Sequence, residues 1–356
     1  MSGSSVRVVP ELRAAHLARH REGTPAELLF LDTNYDFGDS SLEPGMRRVS
    51  LFGAVRRLAS TRATTLEVPE PYWMRLWPKH LVLVSTFAIV GRMRRRQRRI
   101  VTYAMENNAL ETLVGGRRRA PRWLVAAVAV LIGAVARCTI DRICFASPAA
   151  EAAYARLPFT SGIERRTVLE LPAAAPEPVE GVPGDYVFVG AMEPRKGVEQ
   201  LMRAWEAVEQ RSPGARLRLV GPGPLEPVAR EWAARSPRSR SVLGQRSHDE
   251  TGAIIARSSV LVAPSVPDGR WIEQVGLPIK EALARGLTVV TTDQTGLAPW
   301  LRERGHAVVP IGHDLVARLS TAMLDAGRDP IPRHVVRAAL PAVEGRLRSD
   351  RWLHRP

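Results

Sequence analysis

The sequence predicts an α/β protein of two domains, each a doubly wound parallel sheet with helices on both faces. Three observations carry that expectation. The chain has 356 residues, enough for two full cores. Short β-branched runs recur through its second half, at YVFV (186–189), LRLV (217–220), SVLV (259–262), LTVV (287–290) and HAVV (306–309), with amphipathic stretches between them. Such alternation implies parallel strands joined by covering helices. Between the halves, LPAAAPEPVEGVPG (171–184) holds four prolines and no periodicity, the composition of a semi-rigid linker.

In chain order, residues 1–170 form the first domain, with strands expected at VRVV (6–9), ELLFL (27–31), RIVTYA (99–104) and RICFA (142–146). Residues 171–184 are the linker and 185–330 the second domain. Its first helix places Val198, Leu201, Met202, Trp205 and Val208 on one stripe, the i, i+3, i+4, i+7 pattern of an amphipathic helix. Residues 331–356 read as a helical tail packing back on the first domain. Two such domains are expected to face each other across a cleft, with ligands held at the carboxyl ends of the strands, where loops and helix N-termini converge.

Composition narrows the function. Apolar content of 45% and charged content of 24% exclude a mainly disordered chain. Cys138 and Cys144 show no metal-ligand spacing, and the first twenty residues lack the apolar core of a secretion signal, so a reduced cytoplasmic protein is expected. The net charge of +15 is local: residues 51–150 hold 17 Lys and Arg against 5 Asp and Glu. The excess peaks at GRMRRRQRR, where Arg92, Arg95, Arg96 and Arg99 would share one stripe if the segment were helical. That stripe fits a solvated face or an anionic membrane surface; the aromatics interleaved with basic residues in PYWMRLWPKHLVLV (71–84) point to lipid at the inner face of the membrane. No nucleic-acid-binding motif is present. The apolar runs Leu81–Val90 and Trp123–Ala136 fall short of the roughly 20 residues a span needs and read as buried helices; the arginines of GGRRRAPR beside the second could lie among headgroups.

Two stretches carry chemistry. EQVGLPIKE (273–281) places two glutamates eight positions apart. On one continuous helix they would point about 80° apart. Gly276 allows backbone angles closed to other residues and Pro278 suits a helix start, so a helix over Ile279–Arg285 is expected, with Glu273 on the loop and Glu281 on the first turn. A ligand there would meet free N–H groups with a carboxylate on either side, which suits a molecule bearing phosphate and hydroxyls. The plainer alternative is an acidic surface before a proline-started helix. VGAMEPRKGVEQL (189–201) ends a strand at Gly190 and starts a helix near Gly197, leaving Arg195 and Lys196 at its entrance, either to neutralise a diphosphate or as surface cations.

In order and spacing the two stretches, with LRLVGPGPLEP (217–227), VLGQRSHDETGAIIARSSVLVAPS (242–265) and EALARGLTVVTTDQTGLAPWL (281–301), resemble the donor-binding domain of the glycosyl transferases group 1 family, retaining family 4-like enzymes of the GT-B fold. The resemblance covers roughly residues 141–325. It implies that Lys196 contacts a nucleotide diphosphate, that Glu281 binds the ribose hydroxyls, and that Glu273 contacts the transferred sugar. Gly276 and Leu277 would offer backbone N–H groups, and Gly244 and Gln245 would hold the base. One departure concerns charge. Relatives often carry an arginine after the strand-ending glycine, whereas Gly190 is followed by Ala191, a gap Arg195 is placed to fill. The glycine-rich loop many relatives have after their first strand is also absent.

On the acceptor side, Glu106 in VTYAMENNAL follows an expected strand and is a candidate to hold an acceptor hydroxyl or stabilise positive charge on the sugar, with Asn107 and Asn108 either assisting or capping a helix. The reaction implied is transfer of a sugar, with retention, from a nucleotide-diphosphate donor to a glycan or lipid-linked acceptor of cell-surface polysaccharide or glycolipid synthesis. No metal and no cofactor are expected, since neither an Asp-x-Asp motif nor a His/Cys cluster is present. The alternative is a non-catalytic nucleotide-sugar or glycan-binding protein with a degenerate acceptor domain.

Overall fold

The computed structural model describes residues 5–33, 42–115, 120–175, 180–269 and 271–355. It divides into two compact units: Met1–Leu169 with Gly345–Pro356, and Glu170–Glu344. Residues 176–179 of the linker and arginines 117–119 lie outside the described residues.

The first unit holds a seven-stranded sheet built from β1 (Ser5–Leu12), β2 (Ala26–Thr33), β3 (Met46–Arg48), β4 (Thr65–Val68), β5 (Arg99–Ala104), β6 (Arg142–Phe145) and β7 (Glu164–Thr167). Their order is β3-β2-β1-β4-β5-β6-β7, and every pairing is parallel. The second unit holds β8 (Asp185–Val189), β9 (Arg216–Val220), β10 (Arg240–Gly244), β11 (Val260–Ala263), β12 (Thr288–Thr292) and β13 (Ala307–Val309), in the order β10-β9-β8-β11-β12-β13 and again parallel throughout. Buried on both faces, these strands read as unbroken apolar runs, which is why YVFV and LTVV were legible. The stripe Val198, Leu201, Met202, Trp205 and Val208 lies on the helix Val198–Arg211 and packs into the core against β8 and β9.

The helix Gly345–Leu353 belongs to the first unit, tied in by a buried ionic cluster. Asp350 is fully buried and accepts from Arg7 Nη2 at 2.6 Å, from Arg19 Nη2 at 2.6 Å and from the Thr24 backbone N–H at 2.6 Å. Glu67 on β4 takes the other faces of both arginines, through Arg7 Nε at 3.2 Å and Arg19 Nη1 at 2.6 Å, and meets His354 Nε2 at 3.0 Å. Ligand atoms of Glu67, Asp350 and His354 come within 4.8 Å of one another, a spacing a cation could bridge, but two guanidinium groups already neutralise these carboxylates. Burial alone would raise both acids; Arg19 and Arg7 outweigh it and hold Glu67 and Asp350 below the usual carboxylate range.

Two sequence expectations are corrected here. Arg92, Arg95, Arg96 and Arg99 do not form a helical stripe. The helix Trp77–Met93 holds Arg92 in its last turn and ends before the others, Arg95 takes a left-handed conformation with φ 52°, and Arg99 opens β5. Adjacent like charges add repulsion, and β5 must start close by to pair with β4. Nor is the Trp123–Ala136 run a buried helix. The helix spans Arg122–Thr139, long and apolar enough to cross a membrane by length and composition, yet only 22% of it is buried. Ile132, Gly133 and Ala136 face the core, while Trp123 (72% exposed), Val130 and Leu131 face outward, with Arg122 and Arg137 near the ends. A continuous apolar run cannot tell a core helix from one with an uncovered apolar face.

Candidate functional site

In the second unit the winding reverses between β8 and β11: the chain passes from β8 to β9 and β10 on one side, then returns to β11, β12 and β13 on the other. The loops leaving β8 and β11 therefore diverge and open a crevice at the strands' carboxyl ends, the place where such sheets hold ligands. Both chemistry-bearing stretches emerge there.

The loop after β8 folds back at once. Gly190 N donates to Val220 O at 3.0 Å and Met192 N to Pro222 O at 2.7 Å, pressing residues 190–192 against the GPGPL turn. A Cβ on Gly221 would fall 2.1 Å from the Gly190 carbonyl oxygen, so only glycine fits. The 3₁₀ turn Pro194–Lys196 then delivers Arg195 and Lys196 to the entrance of the helix Val198–Arg211. Arg195 pairs with Glu193 through its side chain, and its carbonyl accepts from Val266 N at 2.9 Å, fastening this loop to the one after β11.

Lys196 Nζ and Glu273 Oε2 form a partly buried ion pair across the crevice, and Ser265 Oγ donates to the same oxygen at 3.4 Å. Trp271 completes the group: its ring centroid lies 4.4 Å from the Arg195 guanidinium carbon and 4.8 Å from Lys196 Nζ, within cation–π range of both. Thr295 Oγ1 donates to Val275 O at 2.8 Å and Gly296 N to Gln274 O at 3.0 Å, strapping the glutamate loop to the segment after β12.

Gly276 has φ 87°, the left-handed region the sequence assigned to it. The helix that follows is Leu277–Ala284, beginning two residues earlier than expected, with Pro278 in its first turn. Glu281 thus sits on the second turn and not the first, because the free Leu277 N–H, not that of Ile279, opens the helix. Its carboxylate lies 3.9 Å from His248 Nδ1, at the start of the helix His248–Arg257, whose end is closed by the Ser247–Glu250 capping box. Gly244 ends β10 with φ 68°, and its carbonyl accepts from Gly221 N at 2.8 Å; Gln245 follows on the surface. The helix Leu277–Ala284 is anchored from behind by Lys280, which pairs with Glu170 at 3.2 Å and with Glu344, the first and last residues of the unit.

The structure therefore brings Lys196, Glu273, Arg195, Gly276 and Leu277 to one crevice, and sets Glu281 against the 244–248 segment through His248. Trp271, Ser265 and His248 were not anticipated. An aromatic two residues before Glu273 was a readable signal for the first; nothing local marks the others. In the first unit Glu106 is buried and accepts from Asn108 N at 3.0 Å and Asn108 Nδ2 at 2.7 Å, so the Asn108 amide serves the carboxylate. His80 and His306 are buried and burial lowers both to about 4, which keeps them neutral at ordinary pH; His306 Nδ1 accepts from Val289 N at 3.1 Å.

Two Rossmann-type units of parallel strands, the second with its polar residues gathered at the switch point, are the architecture of the GT-B glycosyltransferases. Residues 183–329 match the family described as Glycosyl transferases group 1, as the motifs of that segment led one to expect. Over 132 residues the chain is 31% identical to a glycogen synthase of Mycobacterium tuberculosis, covering 35% of this chain and 30% of that protein. Over 148 residues it is 30% identical to a GDP-mannose-dependent monoacylated phosphatidylinositol monomannoside mannosyltransferase of Corynebacterium glutamicum, covering 41% and 38%. The chain thus matches about a third of the length of these relatives. Among solved structures, a lipopolysaccharide outer core galactosyltransferase, WaaB, superposes with a TM-score of 0.64 over 98% of each chain at 11% identity, a likeness of fold.

Proposed function

We propose that the protein is a retaining, metal-independent glycosyltransferase that moves a sugar from a nucleoside diphosphate to a hydroxyl of a glycan or glycolipid intermediate in cell-surface polysaccharide or glycolipid synthesis. The observation that carries this reading is the Lys196–Glu273 pair at the β8/β11 switch point, beside the helix start at Gly276 and Leu277. A bound donor would divide that pair: phosphate oxygens attract the ammonium, and sugar hydroxyls donate to the carboxylate. As the bond to the sugar breaks, charge gathers on the diphosphate, and Lys196, Arg195 and the Leu277 N–H would stabilise it without a metal ion. Glu281 and His248 would hold the ribose, and the Gly244–Gln245 backbone the base.

A thermal-shift panel of uridine, guanosine and adenosine diphosphate sugars tests donor binding, since a ligand that binds only the folded state raises Tm by mass action. One base series is expected to shift Tm, in the presence of excess chelator, and the same donor is expected to release nucleoside diphosphate with an acceptor. Binding without release would favour the non-catalytic alternative.

The acceptor is proposed to be presented at the cytoplasmic face of a membrane, with the protein peripheral there. Support comes from the uncovered apolar side of the helix Arg122–Thr139 with arginines near its ends, on a unit of strong positive charge. At about 27 Å this helix is a little shorter than the roughly 30 Å hydrocarbon layer and suits lying in the interface. Flotation with vesicles containing anionic lipid is expected to carry the protein upward, and Trp123→Glu is expected to reduce it; no flotation with these or with neutral vesicles removes the membrane proposal.

A further inference from the structure

The first sheet also reverses its winding, between β1 and β4, and the loop leaving β4 at this point carries Glu70, a carboxylate only 3% exposed. Among the described residues its four hydrogen bonds are all accepted from donors that hold no formal charge. Oε1 takes the backbone N–H of Met105 at 3.1 Å and of Glu106 at 3.2 Å; Oε2 takes the Glu106 N–H at 3.2 Å and the Tyr154 hydroxyl at 2.9 Å. Tyr154 is itself fixed. Its oxygen accepts from Tyr72 N at 3.4 Å, its ring stands edge-on to Tyr72 at 4.4 Å, and Tyr72 in turn donates its hydroxyl to Ala153 O at 2.8 Å.

Glu70 thus supplies the acceptors for the two residues that follow β5, the strand end on which Glu106 stands. A neutral amide in its place would offer one acceptor oxygen where the carboxylate offers two, and a buried carboxylate without a cation among its bonded partners in the described residues is costly to keep. We propose that Glu70 is the positioning residue of the acceptor side: its carboxylate fixes the Met105–Glu106 backbone so that the Glu106 carboxyl is held at the carboxyl end of β5. The inference rests on the transferase reading for its functional half and on geometry alone for its structural half.

Burial, with the neighbouring Glu106 charge added, pushes the Glu70 carboxyl up to about 7. The titratable groups facing it are Glu106 beyond β5, Tyr154 on the helix Pro148–Ala155 and Tyr72 on its own loop, with Glu111 and Arg156 acting on Tyr72. Below pH 7 the protonated acid must place its own O–H and gives up one acceptor site, so its grip on residues 105 and 106 loosens; above pH 7 all four bonds are accepted.

Three readings on Glu70→Gln and wild type test this. Hydrogen exchange of the Met105 and Glu106 amides is expected to be faster in the variant, which needs no activity. Acceptor-dependent kcat/KM is expected to rise through pH 7 in wild type, and in Glu70→Gln to fall by up to about 10²-fold and lose that inflection, as small misplacements of a reacting group do. The thermal shift given by the donor is expected to stay the same, which separates this inference from the donor site. Unchanged amide exchange, or an unaltered pH profile in a folded variant, overturns the proposal; absence of turnover in wild type instead overturns the transferase reading and leaves the exchange result to decide the positioning role.

Discussion

Asp350→Ala is expected to destabilise the first unit by about 3–5 kcal/mol, the cost of leaving a buried charge without its partner. Two guanidinium groups and two carboxylates balance in this cluster, and Asp350 answers Arg7, Arg19 and the Thr24 N–H at once. Removing it leaves one positive charge in excess at a site where Arg7 is 2% exposed and Arg19 6% exposed. Urea unfolding followed by circular dichroism would read the loss as a lower midpoint; a change under about 1 kcal/mol would mean the cluster relaxes into water. The pH dependence has a definite sign. Both acids are depressed in the folded state, so their contribution is complete above the ordinary carboxylate range and is lost as the pH falls through their lowered values. Wild type should therefore lose stability steeply in acid, and Asp350→Ala less steeply.

Lys196→Ala is expected to reduce turnover by about 10²–10³-fold, the range found when one preorganised donor to a developing charge is removed. Donor affinity should weaken as well, because the diphosphate would lose its ammonium while the Glu273 carboxylate beside it stays unneutralised by Lys196. Release of nucleoside diphosphate under saturating and subsaturating donor separates the two effects. Lys196→Arg is expected to recover little, since the planar guanidinium does not fit where a compact ammonium lies against Glu273 and Trp271. Retention of near wild-type turnover in Lys196→Ala would end the role assigned to this ammonium in stabilising the diphosphate.

How much of this was legible in the sequence depended on whether the signal was local. The strands at 186–189, 217–220 and 287–290 could be read because burial on both faces makes them continuous apolar runs, and Gly276 because a glycine before Leu-Pro has a backbone reason to be there. β13, only three residues long, was still read at HAVV, but the three-residue β3 and the polar β7, whose residues are ERRT, have no such run; β7 was missed outright because it is a sheet edge, where side chains can face water. Contacts between distant residues were invisible in principle. Nothing near Lys280 announces that it reaches Glu170 and Glu344, and nothing near Glu70 that it answers the amides of residues 105 and 106. The arginine stripe failed for the converse reason, since a local pattern was assigned a helix that the pairing of β5 forbids.

The buried cluster around Asp350 also sets the order in which the protein can be finished during synthesis. Glu170–Glu344 is one uninterrupted stretch and can close its core as soon as it clears the ribosome. The first unit is not, for Arg7 and Arg19 wait for a carboxylate some 330 residues later in the chain. The domain translated first is therefore the one completed last, and until then the charges of its two arginines must be borne by Glu67 and by solvent.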